Sequence, residues 1–286
     1  MAYWNVQKPF NNDKAVVASI YFNAVRAVSV DAQYVGLNSQ GLKVVPSGLF
    51  LASVNGQARF LPRDYAKTAV TTSDNSVEVS LPEVFVVGDT LYHLEAEGLV
   101  TVAAGSAGDT VTIRFVDDSN GINVGYTHTQ VGGTTAELTA ELISVLNSMT
   151  NALSSYARFE SDAAGAIKVF SKGGRFTITT SSTGTATATA TNQLDTDEKE
   201  IGTISGIDHA NGRLTLSANS GVAFSAGARI GTLVDEVYGL YNHSVDFTNK
   251  PYCDLKAIER CDRVYKSGMP YFDTQLALQF SNMNFV

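Results

Sequence analysis

The sequence predicts a mainly β fold: a barrel or sandwich base domain that carries an inserted small α+β domain and ends in extended terminal arms. Three observations predict it. Short runs rich in Val, Ile, Thr and aromatic residues recur between Gly, Asn and Asp turns. One stretch, near residue 140, breaks that rhythm with helical spacing. Both ends are rich in aromatic residues without a regular turn pattern. A length of 286 residues leaves room for two modest units plus extensions.

Residues 1–35 read as an N-terminal extended arm or edge strand. Pro9-Phe10-Asn11-Asn12-Asp13 is a break, and two apolar runs follow it, at 15–20 and 25–30. Tyr3, Trp4 and Phe10 put three aromatic side chains into the first ten residues, a composition suited equally to anchoring on a partner and to docking on the chain's own core. The base domain is assigned to 36–98 together with 196–236. Within it, Leu49-Phe50-Leu51-Ala52-Ser53-Val54, then Asn55-Gly56, then Gln57-Ala58-Arg59-Phe60-Leu61 predicts a hairpin, because a type I′ turn needs two residues that tolerate positive φ. Asn211-Gly212 ahead of Arg213-Leu214-Thr215-Leu216 repeats the signal.

The inserted domain, 99–195, has the order β-β-α-β-β. Thr110 to Val116 alternates as a strand, and a second strand lies within 122–130. Thr134 followed by Glu137 can form a capping box, and Leu138, Leu142, Val145, Leu146, Met149 and Leu153 share one helical face. Strands resume around Ile167 and Ile178. The Thr/Ala run at 183–191 has β propensity but small side chains, which suits an edge strand or a stiff linker. The last segment, 237–286, reads as an aromatic-rich extension with a short helix near 254–265 and an extended end. Its candidate interface residues are Tyr252, Tyr271, Phe272, Phe280 and Phe285.

Composition narrows the function classes. No apolar run approaches the roughly 18 residues of a membrane span, and the N-terminus lacks the pattern of a secretory leader, so no membrane association is expected. The net charge of −8 and the scattered cations argue against nucleic acid as a partner. Two cysteines, Cys253 and Cys261, are too few for a disulfide framework or a structural zinc site. Four histidines and many carboxylates occur, but no G-x-S-x-G, H-E-x-x-H, Walker or G-x-G-x-x-G motif accompanies them. Asp118-Ser119-Asn120-Gly121 imitates part of a calcium loop, yet Val116 and Thr127 stand where the first Asp and the bidentate Glu belong. The chain reads as non-enzymatic, with no catalytic residues, no metal and no cofactor.

Two resemblances add to this reading. The stretch from Gly41-Leu42-Lys43-Val44-Val45-Pro46-Ser47-Gly48 to Leu51, followed by Ala58-Arg59-Phe60-Leu61-Pro62-Arg63, resembles the strand, small-residue turn, strand opening of tailed-phage head decoration (cement) proteins. The insert, with Asp109 to Val116, Thr134-Thr135-Ala136-Glu137-Leu138 and the strands around Ile167 and Ile178, looks like a module of phage tail and fibre proteins. Together they imply a structural protein of the virion, made in the bacterial host cytoplasm and bound to the outer capsid surface. The implied partners are the major capsid protein and further copies of the chain, as a homotrimer. The alternative is a tail or fibre component that binds a host-surface glycan or receptor.

Overall fold

A computed structural model describes residues 24–38, 40–117, 122–148, 157–171, 177–191, 198–272, 276, 279–280 and 283–286. The fold is mainly β, and the only α-helix of two turns or more among the described residues is Thr135–Ser148. The chain divides into two compact units at Leu94/Glu95 and Glu198/Lys199. The first takes the flanks and the second takes 95–198 with the short stretch 273–279.

The first unit holds two curled sheets. One runs in the order Ala24–Asp31, Tyr252–Val264, Glu236–Tyr241, Leu49–Val54, Gln57–Phe60, with Met283–Phe285 added parallel to Tyr252–Val264. Its two end strands come back to within 8 Å of each other, which curls the sheet around Val28, Val30, Leu255 and Phe50. Phe280 stacks on Phe50 at 5.3 Å, and Phe247 meets Phe60 edge-on at 6.2 Å. The Asn55-Gly56 hairpin forms as the turn chemistry requires: Val54 faces Gln57, and the two loop residues have φ of 52° and 73°.

The helix expected near 254–265 is a strand instead. From Tyr252 to Ala257 the side chains alternate, with Tyr252, Asp254 and Lys256 exposed and Cys253, Leu255 and Ala257 buried. That period of two belongs to a strand paired on both sides, and here Ala24–Asp31 and Glu236–Tyr241 flank it. Tertiary pairing overrode a local pattern that was compatible with either element. The same pairing makes Ala24–Asp31 the end strand of this sheet, the edge-strand form of the expected arm, and makes most of 237–264 strand where an extension was expected.

The other sheet runs Arg63–Tyr65, Arg229–Gly231, Thr90–His93, Lys199–Asp208, Arg213–Leu216, Ser76–Glu78. Its ends meet at a seam. The Lys67 amide donates to the Glu78 carbonyl at 2.9 Å, and the buried Asp64 carboxylate accepts from the amides of Ser80 and Leu81 at 2.5 and 2.8 Å. A third amide, that of Tyr65, donates to Asp64 at 2.8 Å. One side chain therefore satisfies amides that a closed ladder would have paired. The Asn211-Gly212 hairpin closes with a four-residue loop, whose Asp208 carboxylate accepts from the amides of Ala210 and Asn211.

The second unit is richer than a β-β-α-β-β sheet under one helix. Glu97–Ala103 precedes that pattern and Thr187–Thr191 follows it, and both join Ala157–Ala163 and Ala166–Ser171 in a four-stranded sheet. Ile122–Thr129, Thr110–Asp117 and Thr177–Ser182 form a second, three-stranded sheet. The Thr/Ala run is thus an edge strand. The helix begins with a reciprocal capping box: the Thr134 amide donates to Glu137 at 2.7 Å and the Glu137 amide to the Thr134 hydroxyl at 3.3 Å. Leu138, Leu142 and Leu146 turn inward onto a shared core with Val100, Ile113, Phe115, Phe159 and Ile167. Val145 is half-buried, and Met149 and Leu153 lie outside the described residues.

Candidate interaction surface

The aromatic residues singled out from the sequence separate into three groups. Tyr271 is only 3% exposed and its ring lies 5.3 Å from that of Tyr65, whose hydroxyl donates to the Phe272 carbonyl. Phe280 is buried against Phe50. These two stabilise their own unit, which corrects their assignment as interface residues. Phe272 and Phe285 pair with each other at 5.1 Å and stay half-exposed. Tyr252 is the outward one, 58% exposed. Tyr3, Trp4 and Phe10 lie outside the described residues.

Beside Tyr252 lies a shallow, largely open groove of about 640 Å³. Its construction follows from the chain path. The strand Glu236–Tyr241 ends at Tyr241 and Val245–Asp246 pairs with Val44–Val45, and Tyr241, Val245 and Asp246 all line the groove. Phe247, fully buried, ties this segment down through its amide to the Lys43 carbonyl at 2.8 Å. The Asp246 carboxylate accepts from the Thr248 amide, turning the chain toward Lys250 and Pro251. Pro251 then leads into the long strand, so Tyr252, Cys253, Asp254 and Leu255 complete the lining.

Electrostatically the groove is mixed, with Asp246 and Asp254 against Lys250. The hydroxyl and amide of Thr248 hold the Asp246 carboxyl below the ordinary carboxylate range, so it is anionic at neutral pH. Burial pushes the Cys253 thiol up, which leaves it protonated and unreactive at neutral pH. Burial likewise raises the Tyr241 phenol. The chemistry offered is therefore contact: an exposed ring, a second ring in the wall, a proline face and a fixed carboxylate.

Of these residues the sequence pointed to Tyr252 and to the aromatic density around Tyr241. It missed Asp246, Lys250 and Pro251. The signal was present in Asp246-Phe247-Thr248-Asn249-Lys250-Pro251, a polar turn ending in proline between two strands.

Other ionisable groups are engaged in joining strands to loops. The Arg59 guanidinium binds Asp89 in a largely buried pair and lies 5.3 Å from the Tyr34 ring. Arg158 pairs with the buried Glu95 at 2.6 Å and covers the Phe170 ring at 4.3 Å. Buried Glu83 is raised to about 7, chiefly by loss of solvent and then by the nearby Asp64 charge. In the second unit, His128 stands between the Tyr126 hydroxyl at 3.5 Å and Glu141 at 3.6 Å, joining strand to helix. Cys261 carries its backbone in the long strand, eight residues and about 26 Å of strand from Cys253. The calcium-like turn at 118–121 lies outside the described residues. Among the described residues no group of three or more His, Cys, Asp or Glu side chains is placed to hold a metal ion, and no helix is long and apolar enough to cross a membrane.

No family model matches the chain, and no curated protein matches it.

Proposed function

We propose that the chain is a structural virion protein that binds the outer capsid surface and stabilises capsomer junctions, with the major capsid protein and other copies of itself as partners. The observation that supports this most is the exposed Tyr252 beside the groove at 241–255, held on a strand that pairs there with Ala24–Asp31. Aromatic side chains fixed on a rigid sheet make contact area at small cost in conformational entropy. Apolar burial contributes about 25 cal/mol per Å², and many copies on one shell add such contacts against the pressure of a packaged genome. The net charge of −8 keeps such a protein from being captured by nucleic acid. The resemblance to head decoration proteins, carried by 41–51 and 58–63, points the same way.

The test is the copy number of this chain in purified particles, by quantitative mass spectrometry against the major capsid protein. The proposal expects a number comparable with that of the shell protein. A number of a few per particle would favour the tail or fibre reading, and absence from particles would overturn both.

A further inference from the structure

Three features of the molecule invite a partner: the hydroxyl-rich outer face of the three-stranded sheet, the buried acid pair Asp64 and Glu83, and the groove at 241–255. The hydroxyl face shows nothing that selects an occupant. The acid pair is enclosed, and Asp64 is occupied by backbone amides. Only the groove has an occupant that can be argued from the molecule.

We propose that the groove at 241–255 receives residues 3–10 of a second copy of the chain, so that copies are joined by exchanged N-terminal segments. This rests on the structural-protein reading and specifies how its copies associate. Three observations carry it. The first is chemical fit. The groove presents Tyr241, Pro251 and Tyr252, and residues 3–10 bring Tyr3, Trp4, Pro9 and Phe10, large rings suited to a wall of rings and proline. The second is charge. Residues 1–12 contain Lys8 and no carboxylate side chain, and the groove sets Asp246 and Asp254 against one lysine.

The third is chain direction and reach. The strand Ala24–Asp31 runs toward the groove, with Asp31 facing Tyr252, so the residues before Ala24 leave from the opposite end, about 23 Å away. The preceding segment departs from the end remote from its own groove. Twenty residues separate Trp4 from Ala24, up to about 66 Å of extended chain, which exceeds the roughly 23 Å to its own groove, so dissociation on dilution is what separates exchange from folding back. A segment of one copy in the groove of the next is a head-to-tail contact, which closes when the rotation between copies divides the circle; three copies in a ring is one such closure. Once a ring is all but complete, its last contact forms within one assembly and so at high effective concentration.

The chain contains one tryptophan, Trp4, so its fluorescence reports on this segment alone. The experiment follows tryptophan emission and light-scattering mass of the full chain across a dilution series, and repeats both for Tyr252→Ser and for a chain lacking residues 1–12. Tyr252 is exposed, so its substitution leaves the fold intact, checked by circular dichroism. Expected are a blue-shifted emission that reverts on dilution in step with dissociation, a midpoint moved to about tenfold higher concentration by Tyr252→Ser, and no association without residues 1–12. A monomer mass with concentration-independent emission would overturn the exchange, as would a midpoint untouched by Tyr252→Ser. Abundant copies on particles together with either of those results would sink the exchange and leave the structural role standing. Exchange in solution with no copies on particles would do the reverse.

Discussion

Asp64 in the first unit and Asp109 in the second do the same work with opposite electrostatics. Asp64 accepts from three backbone amides, those of Tyr65, Ser80 and Leu81. Asp109 also accepts from three, those of Ser106, Thr185 and Ala186, and from the Thr185 hydroxyl. Asp64 is buried at the seam of a curled sheet, and loss of solvent outweighs its amides, so its carboxyl lies above the ordinary range. Asp109 is only partly buried, and there the Thr185 and Ser106 amides prevail and its carboxyl lies below it. Three backbone amides on each carboxylate do not fix the sign; access to water decides it.

The consequence for stability follows from linkage. A carboxyl raised on folding favours the fold at low pH and loses that contribution as pH rises through its folded value. A carboxyl lowered on folding contributes above its unfolded value and loses the contribution as pH falls. Asp64 and Glu83 therefore weaken the first unit toward alkaline pH, and Asp109 and the capping Glu137, which is also lowered, weaken the second toward acid.

The largest expected effect comes from removing the seam. Asp64→Ala leaves three inward amides without their acceptor, at about 1–3 kcal/mol each, so a loss of about 4 kcal/mol is expected. Hydrogen exchange should show it in the amides of Ser80, Leu81 and the sheet that carries Asp64, with the second unit unchanged. Opening of both units to the same extent would break the comparison. Next is Leu142→Ala, which empties a fully buried site in the core of the second unit. It should cost about 3 kcal/mol and raise exchange in the helix and its four-stranded sheet alone.

The smallest of the three sharpens the electrostatic argument. Glu83 rises from 4.5 to about 7 on folding. Its contribution is fully present below about 4.5 and is gone above about 7. Glu83→Gln should therefore stabilise the chain by about 2 kcal/mol at pH 8, allowing for partial solvation, and should lose that advantage near pH 4. Urea denaturation at the two pH values reads the difference. A gain of equal size at both would assign the effect to packing and remove Glu83 from the comparison.

Local chemistry was legible in the sequence wherever it acts at short range. The Asn55-Gly56 turn and the Thr134/Glu137 cap depend on two to four neighbouring residues, and both form with the expected bonds. Pairing between distant residues was not legible. The stretch from Tyr252 is a strand because 24–31 and 236–241 flank it, partners more than ten residues away in one case and over two hundred in the other. Asp64 looked like one acid among many, since nothing local says that Ser80 and Leu81 will arrive with unpaired amides. The candidate surface divides along the same line. Tyr252 stays outside because its strand alternates, whereas Tyr271 and Phe280 turn inward on Tyr65 and Phe50, contacts no window of the sequence contains.

The proposed role at the capsid surface is tested most directly by the temperature at which particles release their DNA. Particles lacking the chain should release it at a lower temperature than complete ones, and added purified protein should restore the higher value. Protein carrying Tyr252→Ser should restore it only at higher concentration. Release at one temperature with and without the chain, while the chain is bound in high copy number, would contradict the account.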